Sequence, residues 1–333
     1  MNGVKRMSNV QSRRVEWLWE KRLPLGKIVT LDGMPGLGKS TMTLDITARV
    51  STGRPMPGAT TGRAPANVVL MSAEDGIEDT IKPRLDAAGA DTTRIVVWDS
   101  VTGNRGDGPP VIPDDLDRLQ EIIEEERARL VVIDPLFAFL SGESDSYRDQ
   151  DIRRVLHRVK MVAEATNACV IVVRHPTKGA KAGPAVYAGG GSVGIVGAAR
   201  VGLVVGRERS DDASSILAVS KSNLAAIPES LTYRLVNDPA LDVAKTAWEG
   251  HSELSADDLM AGPRAQKPRD DMRVLILSAL ATASERHGLT EIARMIGCDP
   301  KHATLRRALG DMVEDGDLDR DSAGTYARLG GIS

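Results

Sequence analysis

Aromatic residues and cysteines are scarce in this chain. Phe, Trp and Tyr together make up 3% of the 333 residues, and the two cysteines are Cys169 and Cys298. So few aromatic side chains leave the core to aliphatic residues, as is common in parallel sheets covered by helices. Neither cysteine has a second Cys or a His at zinc-ligand spacing, which argues against a zinc site and favours two buried, reduced thiols.

A strong net charge and long apolar segments are also missing. The formal net charge is -3, which argues against a generally basic surface for duplex DNA. No run reaches the roughly 18 consecutive apolar residues of a membrane span, and the amino-terminal stretch has no apolar signal core. These absences predict a cytoplasmic globular protein with no membrane partner, in which any contact with nucleic acid is local.

Short apolar runs alternate with longer amphipathic stretches up to about residue 198, which predicts the strand–helix alternation of an α/β domain. Four further apolar runs then follow one another, separated by polar or Gly/Pro-containing turns, and predict consecutive strands that extend the sheet on one side. We therefore expect a mainly parallel twisted sheet in one large α/β domain over residues 25–251.

The ends of the chain have a different composition. Residues 252–271 are polar, contain two prolines and lack periodicity, which predicts a linker. Residues 272–333 show three amphipathic helical patterns and two short strands, which predicts a winged helix-turn-helix. Residues 1–24 form an arm in which Trp17 and Trp19 flank Leu18. This arm is expected to dock on its own domain or on a neighbouring subunit, with ordinary core packing as the alternative.

The stretch GMPGLGKST, residues 33–41, fits the pattern G-x-x-x-x-G-K-[ST] between an apolar strand and a helix. Glycines at such positions let backbone N–H groups turn around a triphosphate, and the helix start adds its own N–H groups and positive dipole end. Lys39 would reach the β and γ phosphates, and Ser40 would bind Mg²⁺. The alternative is a glycine-rich turn without a ligand. The residues predicted to bind ATP are Gly33, Met34, Pro35, Gly36, Leu37, Gly38, Lys39, Ser40 and Thr41.

Three further residues follow apolar strands and are expected at the same sheet edge. Asp134 ends LVVID and would complete the Mg²⁺ site, although many apolar strands end in Asp. Glu74 follows VVLMSA and is the predicted general base for water, the alternative for Glu74 and Asp75 being helix capping. His175 follows VIVVR, where it would sense the γ phosphate, although a lone His is more often structural.

In order, these motifs resemble the RecA-type P-loop ATPases of the plasmid RepA hexameric helicase group, found in mobile elements. The resemblance covers roughly residues 14–250 and includes GMPGLGKST, MSAEDG, LVVIDP, VIVVRHPTK, GAARVGLVV and VSKSN. It implies a RecA-like core in a homo-oligomeric ring, usually of six subunits, with ATP between neighbours and single-stranded DNA in the centre. In this resemblance the P-loop binds phosphates, Glu74 is the base, Asp134 holds the metal and His175 is the sensor.

The resemblance also implies roles for residues outside these motifs. Arg200 falls where such proteins carry an arginine finger for a neighbour's site, and Lys221 resembles a basic residue with a similar task. Either could instead be a surface ion-pair partner. Arg84 matches a position that stacks on adenine.

Two loops correspond to DNA-facing loops of that group. The second carries Lys178 and Lys181 without nearby acids, and Tyr187 could stack on a base. Flexible basic loops are also often only solvated. The first loop, SGESDSYRDQ, is acidic and a poor surface for phosphates, so binding of DNA is expected to depend on the second.

The carboxy-terminal helix pattern PKHATLRRALGDMVEDG has an apolar face, with Arg306 and Arg307 mostly off it. A recognition helix in the major groove would carry such residues there. The acidic run MVEDGDLDRD beside them would repel a DNA backbone. Binding of duplex DNA and docking to a replication partner or within the ring therefore both remain open.

Three functions fit these patterns to different degrees. The first is a DNA-dependent ATPase motor, a ring-forming helicase or helicase-like replication protein of a mobile element. The second is a RecA-fold ATPase without unwinding activity that loads another protein or acts as a nucleotide-switched DNA-binding regulator. The third, a small-molecule kinase, does not account for Glu74, His175 or the carboxy-terminal unit.

Overall fold

The computed structural model describes residues 6–101, 108–140, 149–175, 193–208, 211–260, 268–281 and 285–328. The chain divides into two compact units, residues 1–261 and 262–333. Among the helices of the described ranges, none has the length and hydrophobicity needed to cross a membrane.

The first unit combines strands with helices. Its strands are β1 (Trp17–Trp19), β2 (Leu23–Pro24), β3 (Ile28–Gly33), β4 (Asn67–Ser72), β5 (Ile95–Val97), β6 (Ala128–Asp134), β7 (Cys169–Arg174), β8 (Val201–Arg207), β9 (Ser214–Ser222), β10 (Ser230–Asp238) and β11 (Val243–Ser252). Its helices are α1 (Lys39–Thr52), α2 (Lys82–Ala87), α3 (Leu116–Glu125), α4 (Asp149–Thr166), α5 (Val193–Ala198) and α6 (Ala256–Met260). Strands and helices alternate between β3 and β8, and the last four strands follow one another.

Within the described residues, nine of these strands form one sheet in the order β11-β10-β9-β8-β3-β7-β6-β4-β5. Strands β8, β3, β7, β6, β4 and β5 pair in parallel. Strands β9, β10 and β11 continue from β8 as antiparallel neighbours. This confirms the predicted α/β fold with its mainly parallel sheet and the extension on one side.

Each face of the sheet has its own apolar core. Successive side chains of a strand point to opposite faces. On β3, Val29 and Leu31 therefore join the core that includes residues of α1. Ile28 joins the core that includes residues of α3 and α4. Because both faces are covered, the central strands are continuous apolar runs rather than alternating ones.

The amino-terminal stretch packs into the same unit. Trp17, Leu18 and Trp19 are buried in the core on the α1 side. The Trp19 indole Nε1 donates to the Pro57 carbonyl at 3.2 Å, and its ring meets that of Trp248 edge to face at 5.7 Å. These contacts are ordinary core packing, which was the alternative expected for this stretch.

The stretch predicted as a linker, residues 252–271, contains regular structure at both ends. Helix α6 begins at Ala256, and its apolar residues Ala256, Leu259 and Met260 pack against Val204 and Ala218 of the sheet. The spacing i, i+3, i+4 gives these three side chains one helix face, a signal too short to stand out in a polar sequence.

The second unit is a small α/β cluster. Its elements are α7 (Pro268–Ala281), β12 (His287–Gly288), α8 (Leu289–Met295), α9 (Ala303–Glu314), β13 (Leu318–Arg320) and β14 (Thr325–Arg328). The strands form a sheet in the order β12-β14-β13. Its core is contributed by all three helices and includes Ile276, Leu280, Ile292, Leu305 and Leu309.

Truncating the core of the second unit tests whether it folds independently of the first. Leu309 is fully buried, so Leu309→Ala should destabilise residues 262–333 by about 2–5 kcal/mol while nucleotide binding by the first unit is kept. Leu275 is 47% exposed, so Leu275→Ala serves as the control and should cost less than about 0.5 kcal/mol. Urea unfolding, monitored by hydrogen exchange in the second unit, measures the stability change in each variant. Loss of nucleotide binding in Leu309→Ala would show that the units depend on each other.

Candidate nucleotide-binding site

The P-loop connects the carboxyl end of β3 to helix α1, which begins at Lys39. Gly38 has φ +76°, a backbone conformation that favours glycine, and a Cβ there would lie 2.7 Å from Leu235 Cδ2, so that side chain would have to shift. A Cβ on Gly33 would lie 2.8 Å from the carbonyl oxygen of Val205. Met34, Pro35 and Gly36 form the exposed crest of the loop.

Lys39 is buried and folds back onto the loop. Its Nζ donates to the carbonyl oxygens of Gly33 at 2.7 Å and Met34 at 3.0 Å. Burial lowers the pKa of this ammonium, and the carboxylates of Asp134, Glu74 and Asp32 oppose that shift. The group is therefore a cation held in a dry position beside a loop of backbone donors, which suits a polyphosphate.

Strand β10 supports the loop from the other side. The buried Tyr233 hydroxyl donates to the Leu37 carbonyl oxygen at 2.6 Å, and Leu235 packs against Gly38. The neighbouring strand β11 places the Trp248 indole Nε1 2.7 Å from Asp45 Oδ2 on α1. The predicted sheet extension thus holds both the P-loop and the helix that follows it.

Asp134 lies at the end of β6 and contacts the P-loop helix. The Ser40 hydroxyl lies near its carboxylate and opposes the rise in pKa that burial causes, while Asp134 Oδ1 is buried without a hydrogen-bond partner among the described residues. Burial raises the pKa of Asp134, and the neighbouring Glu74 carboxylate adds to the rise. An unsatisfied buried oxygen beside a serine hydroxyl is a site that a cation would complete.

The described residues contain no cluster of three or more His, Cys, Asp or Glu side chains that could hold a metal by themselves. Mg²⁺ keeps waters and binds through one or two protein oxygens together with substrate phosphates. Ser40 and Asp134 therefore fit Mg²⁺ when it arrives with ATP, and they do not form a metal site alone.

Glu74 and His175 face each other at the same sheet edge. His175 Nε2 lies 3.7 Å from Glu74 Oε2, and the Glu74 side chain is 56% exposed while that of His175 is 30% exposed. The imidazole Nδ1 is buried without a partner in the described part of the chain. An exposed carboxylate next to an imidazole, at the sheet edge that also carries the P-loop, can accept a proton from water.

Arg84 forms an ion pair with Asp75, the neighbour of Glu74, at 2.9 Å. The structure therefore gives Arg84 a partner on the loop that carries the candidate base. Its predicted stacking on adenine stays a prediction.

Arg200 and Lys221 lie at the opposite edge of the sheet. Strand β8 runs parallel to β3, with Val201 beside Val29 and Val205 beside Gly33, so Arg200 precedes the first rung while the P-loop follows the last. Four strand residues separate these ends by about 13 Å. Lys221 Nζ donates to the Ala199 carbonyl at 3.1 Å. These two residues are not brought to the P-loop of their own chain.

Other predicted residues have no described position. Lys178, Lys181 and Tyr187 lie outside the described residues, as does most of the acidic loop before α4. Arg306 and Arg307 lie on α9 of the second unit and are both exposed.

Two features of the site escaped prediction from the sequence. One is the support from Tyr233, described above. The other is a buried ion pair in which Arg174 donates two hydrogen bonds to Asp32, the residue before the P-loop. A signal existed for the second: charged residues end the apolar runs KIVTLD and VIVVR, and a charge at the end of a buried strand needs a partner.

A family model described as an AAA domain, AAA_25, matches residues 4–181, more than half of the chain. The chain belongs to the AAA_25 family. The match includes the P-loop, Glu74, Asp134 and His175, and together with the sheet order it identifies a RecA-like P-loop ATPase core.

Two curated proteins are also similar to part of this AAA_25 chain. The DNA repair protein RadA of Aquifex aeolicus is 26% identical over 164 residues, which are 48% of this chain and 31% of that protein. The DNA repair protein RadA of Halalkalibacterium halodurans is 26% identical over 162 residues, which are 48% of this chain and 30% of that protein. The similarity thus covers about a third of each relative.

Removing the Tyr233 hydroxyl should loosen the P-loop without disturbing the core. Tyr233→Phe keeps the ring but leaves the Leu37 carbonyl without its donor. We expect a loss of about 1–2 kcal/mol in the free energy of unfolding and a several-fold weaker affinity for a non-hydrolysable ATP analogue, measured by calorimetry. Tyr326→Phe in the second unit is the matched control. Unchanged affinity in Tyr233→Phe would limit its role to packing.

Replacing Asp134 by Asn should stabilise the fold while weakening metal-dependent nucleotide binding. Because burial raises the pKa of Asp134 in the folded state, stability falls as the pH rises from the unfolded-state pKa through that raised value, and the loss is complete above it. At neutral pH we expect Asp134→Asn to raise the free energy of unfolding by roughly 1–2 kcal/mol. The gain should disappear below about pH 3.9, where the carboxyl is protonated in both states. Chemical denaturation across pH measures this, with the exposed Asp99→Asn as control. A neutral-pH loss of stability would contradict it.

Proposed function

We propose that this chain hydrolyses ATP as a ring-forming motor on single-stranded DNA, as a helicase or helicase-like replication protein of a mobile element. The observation that carries the proposal is the division of the candidate catalytic groups between two edges of one sheet. The P-loop, Glu74 and His175 lie at the carboxyl edge, while Arg200 and Lys221 lie at the opposite edge.

Hydrolysis in this proposal uses groups that the structure brings together. The P-loop amides and Lys39 bind the phosphates, and Ser40 and Asp134 hold Mg²⁺, which neutralises developing charge on the phosphates when bound. Glu74 accepts the proton of the attacking water. His175, 3.7 Å from Glu74, keeps that carboxylate oriented and responds to loss of the γ phosphate.

A neighbouring subunit completes the site. Arg200 and Lys221 carry positive charge at the edge opposite the P-loop. An ion pair between Lys27 and Glu164, at 2.9 Å, lies at the same edge. Burial lowers the pKa of Lys221, and the charge of Arg200 adds to the lowering. In an assembly, both cations could contact the phosphates of an adjacent site. An interface in which one edge meets the opposite edge of the next copy is heterologous and closes into a ring when the rotation allows.

Single-stranded DNA is assigned to the loop after His175, because Lys178 and Lys181 can follow a phosphate chain and Tyr187 can stack on a base. The partial similarity to two DNA repair proteins supports DNA as the class of ligand. Six subunits, as the resemblance to the RepA group implies, is the expected ring size.

The second unit favours an alternative, a loader or nucleotide-switched regulator that binds duplex DNA. We assign its three helices and the β13–β14 hairpin as a winged helix-turn-helix. Much of the acidic run beside α9 is neutralised internally. Arg273 pairs with Asp315 at 2.7 Å and with Asp317, and Arg286 pairs with Asp319 at 2.8 Å and Asp321 at 3.2 Å.

Because these acidic residues are paired, they would repel a DNA backbone near Arg306 and Arg307 on α9 less than the sequence indicated. Both arginines are exposed, and no ion pair is found for either within the described residues. This observation supports duplex DNA over a protein partner as the ligand of the second unit.

ATP turnover with and without single-stranded DNA distinguishes the two functions. For a motor we expect at least a tenfold increase, about 1.4 kcal/mol off the barrier, that is lost in Lys178→Ala with Lys181→Ala and kept in Arg306→Ala with Arg307→Ala. Lys39→Ala is the blank, and Glu74→Gln should bind nucleotide but stall. Turnover that ignores DNA, with duplex affinity dependent on Arg306 and Arg307, would favour the regulator. Normal hydrolysis by Glu74→Gln would refute its assignment as the base.

Mixing two inactive variants tests whether sites are shared between subunits. Glu74→Gln damages the carboxyl edge and Arg200→Ala the opposite edge, so a random mixture should contain intact sites at about a quarter of its interfaces. We therefore expect partial recovery of turnover. The control mixture, Glu74→Gln with Lys39→Ala, damages one edge twice and should stay inactive. Equal behaviour of the two mixtures would remove Arg200 from the site.

A further inference from the structure

A fully buried ion pair joins the ends of β3 and β7. Arg174 Nε donates to Asp32 Oδ1 at 2.7 Å and Nη2 donates to Oδ2 at 2.6 Å. The two side chains are 1% and 2% exposed. Two parallel hydrogen bonds between a guanidinium and a carboxylate fix direction as well as distance.

The pair occupies the last rung of the β3–β7 ladder, which runs from Ile28 beside Val170 to Asp32 beside Arg174. The next residue on one strand is Gly33, which begins the P-loop. The next residue on the other is His175. The ion pair therefore closes the ladder at the point where the two chains separate toward the nucleotide.

Stability does not account for charge at this place. Replacing a buried ion pair by apolar residues of similar volume is often neutral or stabilising, and the rest of both strands is largely aliphatic. Burial raises the pKa of Asp32, with Arg174 opposing the rise. Arg174 Nη1 is also buried and has no hydrogen-bond partner within the described ranges, which adds a further cost.

We propose that Asp32 and Arg174 are positioning residues for hydrolysis: their paired hydrogen bonds hold the carboxyl ends of β3 and β7 in register, and so set the position of His175 and Glu74 relative to the P-loop. Neither side chain contacts the nucleotide in this assignment. Each acts through the main chain of the residue that follows it. The inference rests on the ATPase activity proposed above.

The double variant Asp32→Leu with Arg174→Met removes the two hydrogen bonds and replaces both side chains by apolar ones of similar size. It also removes one charge of each sign, so the net charge of the chain is unchanged. We expect it to unfold at the same or a higher urea concentration than the parent chain and to bind an ATP analogue within about threefold, while kcat falls about 10- to 100-fold with KM little changed. Normal kcat in this folded variant would overturn the inference.

Amide hydrogen exchange gives a readout that needs no nucleotide. In the double variant, exchange at Gly33 and at position 174 should accelerate, whereas the middle of the ladder at Leu31 and Val172 should keep its protection. A purely structural pair would instead change the whole ladder or nothing. The control is Ile28→Val with Val170→Ala at the first rung of the same ladder, which should lower stability without a selective loss of kcat.

A double-mutant cycle with His175→Ala tests the route of the effect. If the pair acts through His175, the double variant should lose little further kcat in the His175→Ala background. A full additional loss in that background would overturn the assigned route through His175. If the double variant does not fold, Arg174→Lys keeps the charge but cannot form the paired hydrogen bonds, and it should show the same selective loss of kcat.

The parent chain separates the two hypotheses. No turnover above the Lys39→Ala blank would overturn the proposed function, and the inference with it. Turnover in the parent together with normal turnover in the Asp32→Leu, Arg174→Met variant would overturn the inference alone.

Discussion

The parallel pairing of β3 with β7 is the constraint on which the candidate site depends. Parallel strands end at the same edge of a sheet, so the chain that leaves β3 as the P-loop and the chain that leaves β7 at His175 start side by side. The order β3-β7-β6-β4 then adds Asp134 and the loop of Glu74 at that same edge. The strand order alone therefore brings together residues that are about a hundred positions apart in the sequence.

The site contains ionisable groups whose charged forms are destabilised by burial. Lys39 is a cation in a dry place, so its pKa is lowered, and Asp134 is an anion in a dry place, so its pKa is raised. Lys39 would gain a further opposite charge from a nucleotide phosphate, and Asp134 would gain one from a divalent cation. Binding therefore relieves an electrostatic cost that folding has already incurred, a common relation between stability and function at such sites.

Local patterns predicted the α/β architecture, the P-loop and the three strand-end residues Glu74, Asp134 and His175, because each is encoded within about ten neighbouring residues. The contacts that connect strands were not predicted. Asp32 meets Arg174 and Tyr233 meets the P-loop only through the strand order and register, which depend on the whole sheet. Helix α6 escaped because five residues carry too little periodicity to be distinguished from a polar linker.

Under the proposed function, the placement of Arg200 and Lys221 on the edge opposite the P-loop would set how many sites an assembly can hold. A lone subunit then has the P-loop half and the Arg200 half of a site but no complete site. An open arc of subunits leaves a P-loop half unused at one end and an Arg200 half unused at the other. Closing the arc into a ring adds exactly one site without adding a subunit. Ring closure would then be directly visible as a step in turnover per subunit, and an agent that opens the ring would silence one site while leaving the others intact.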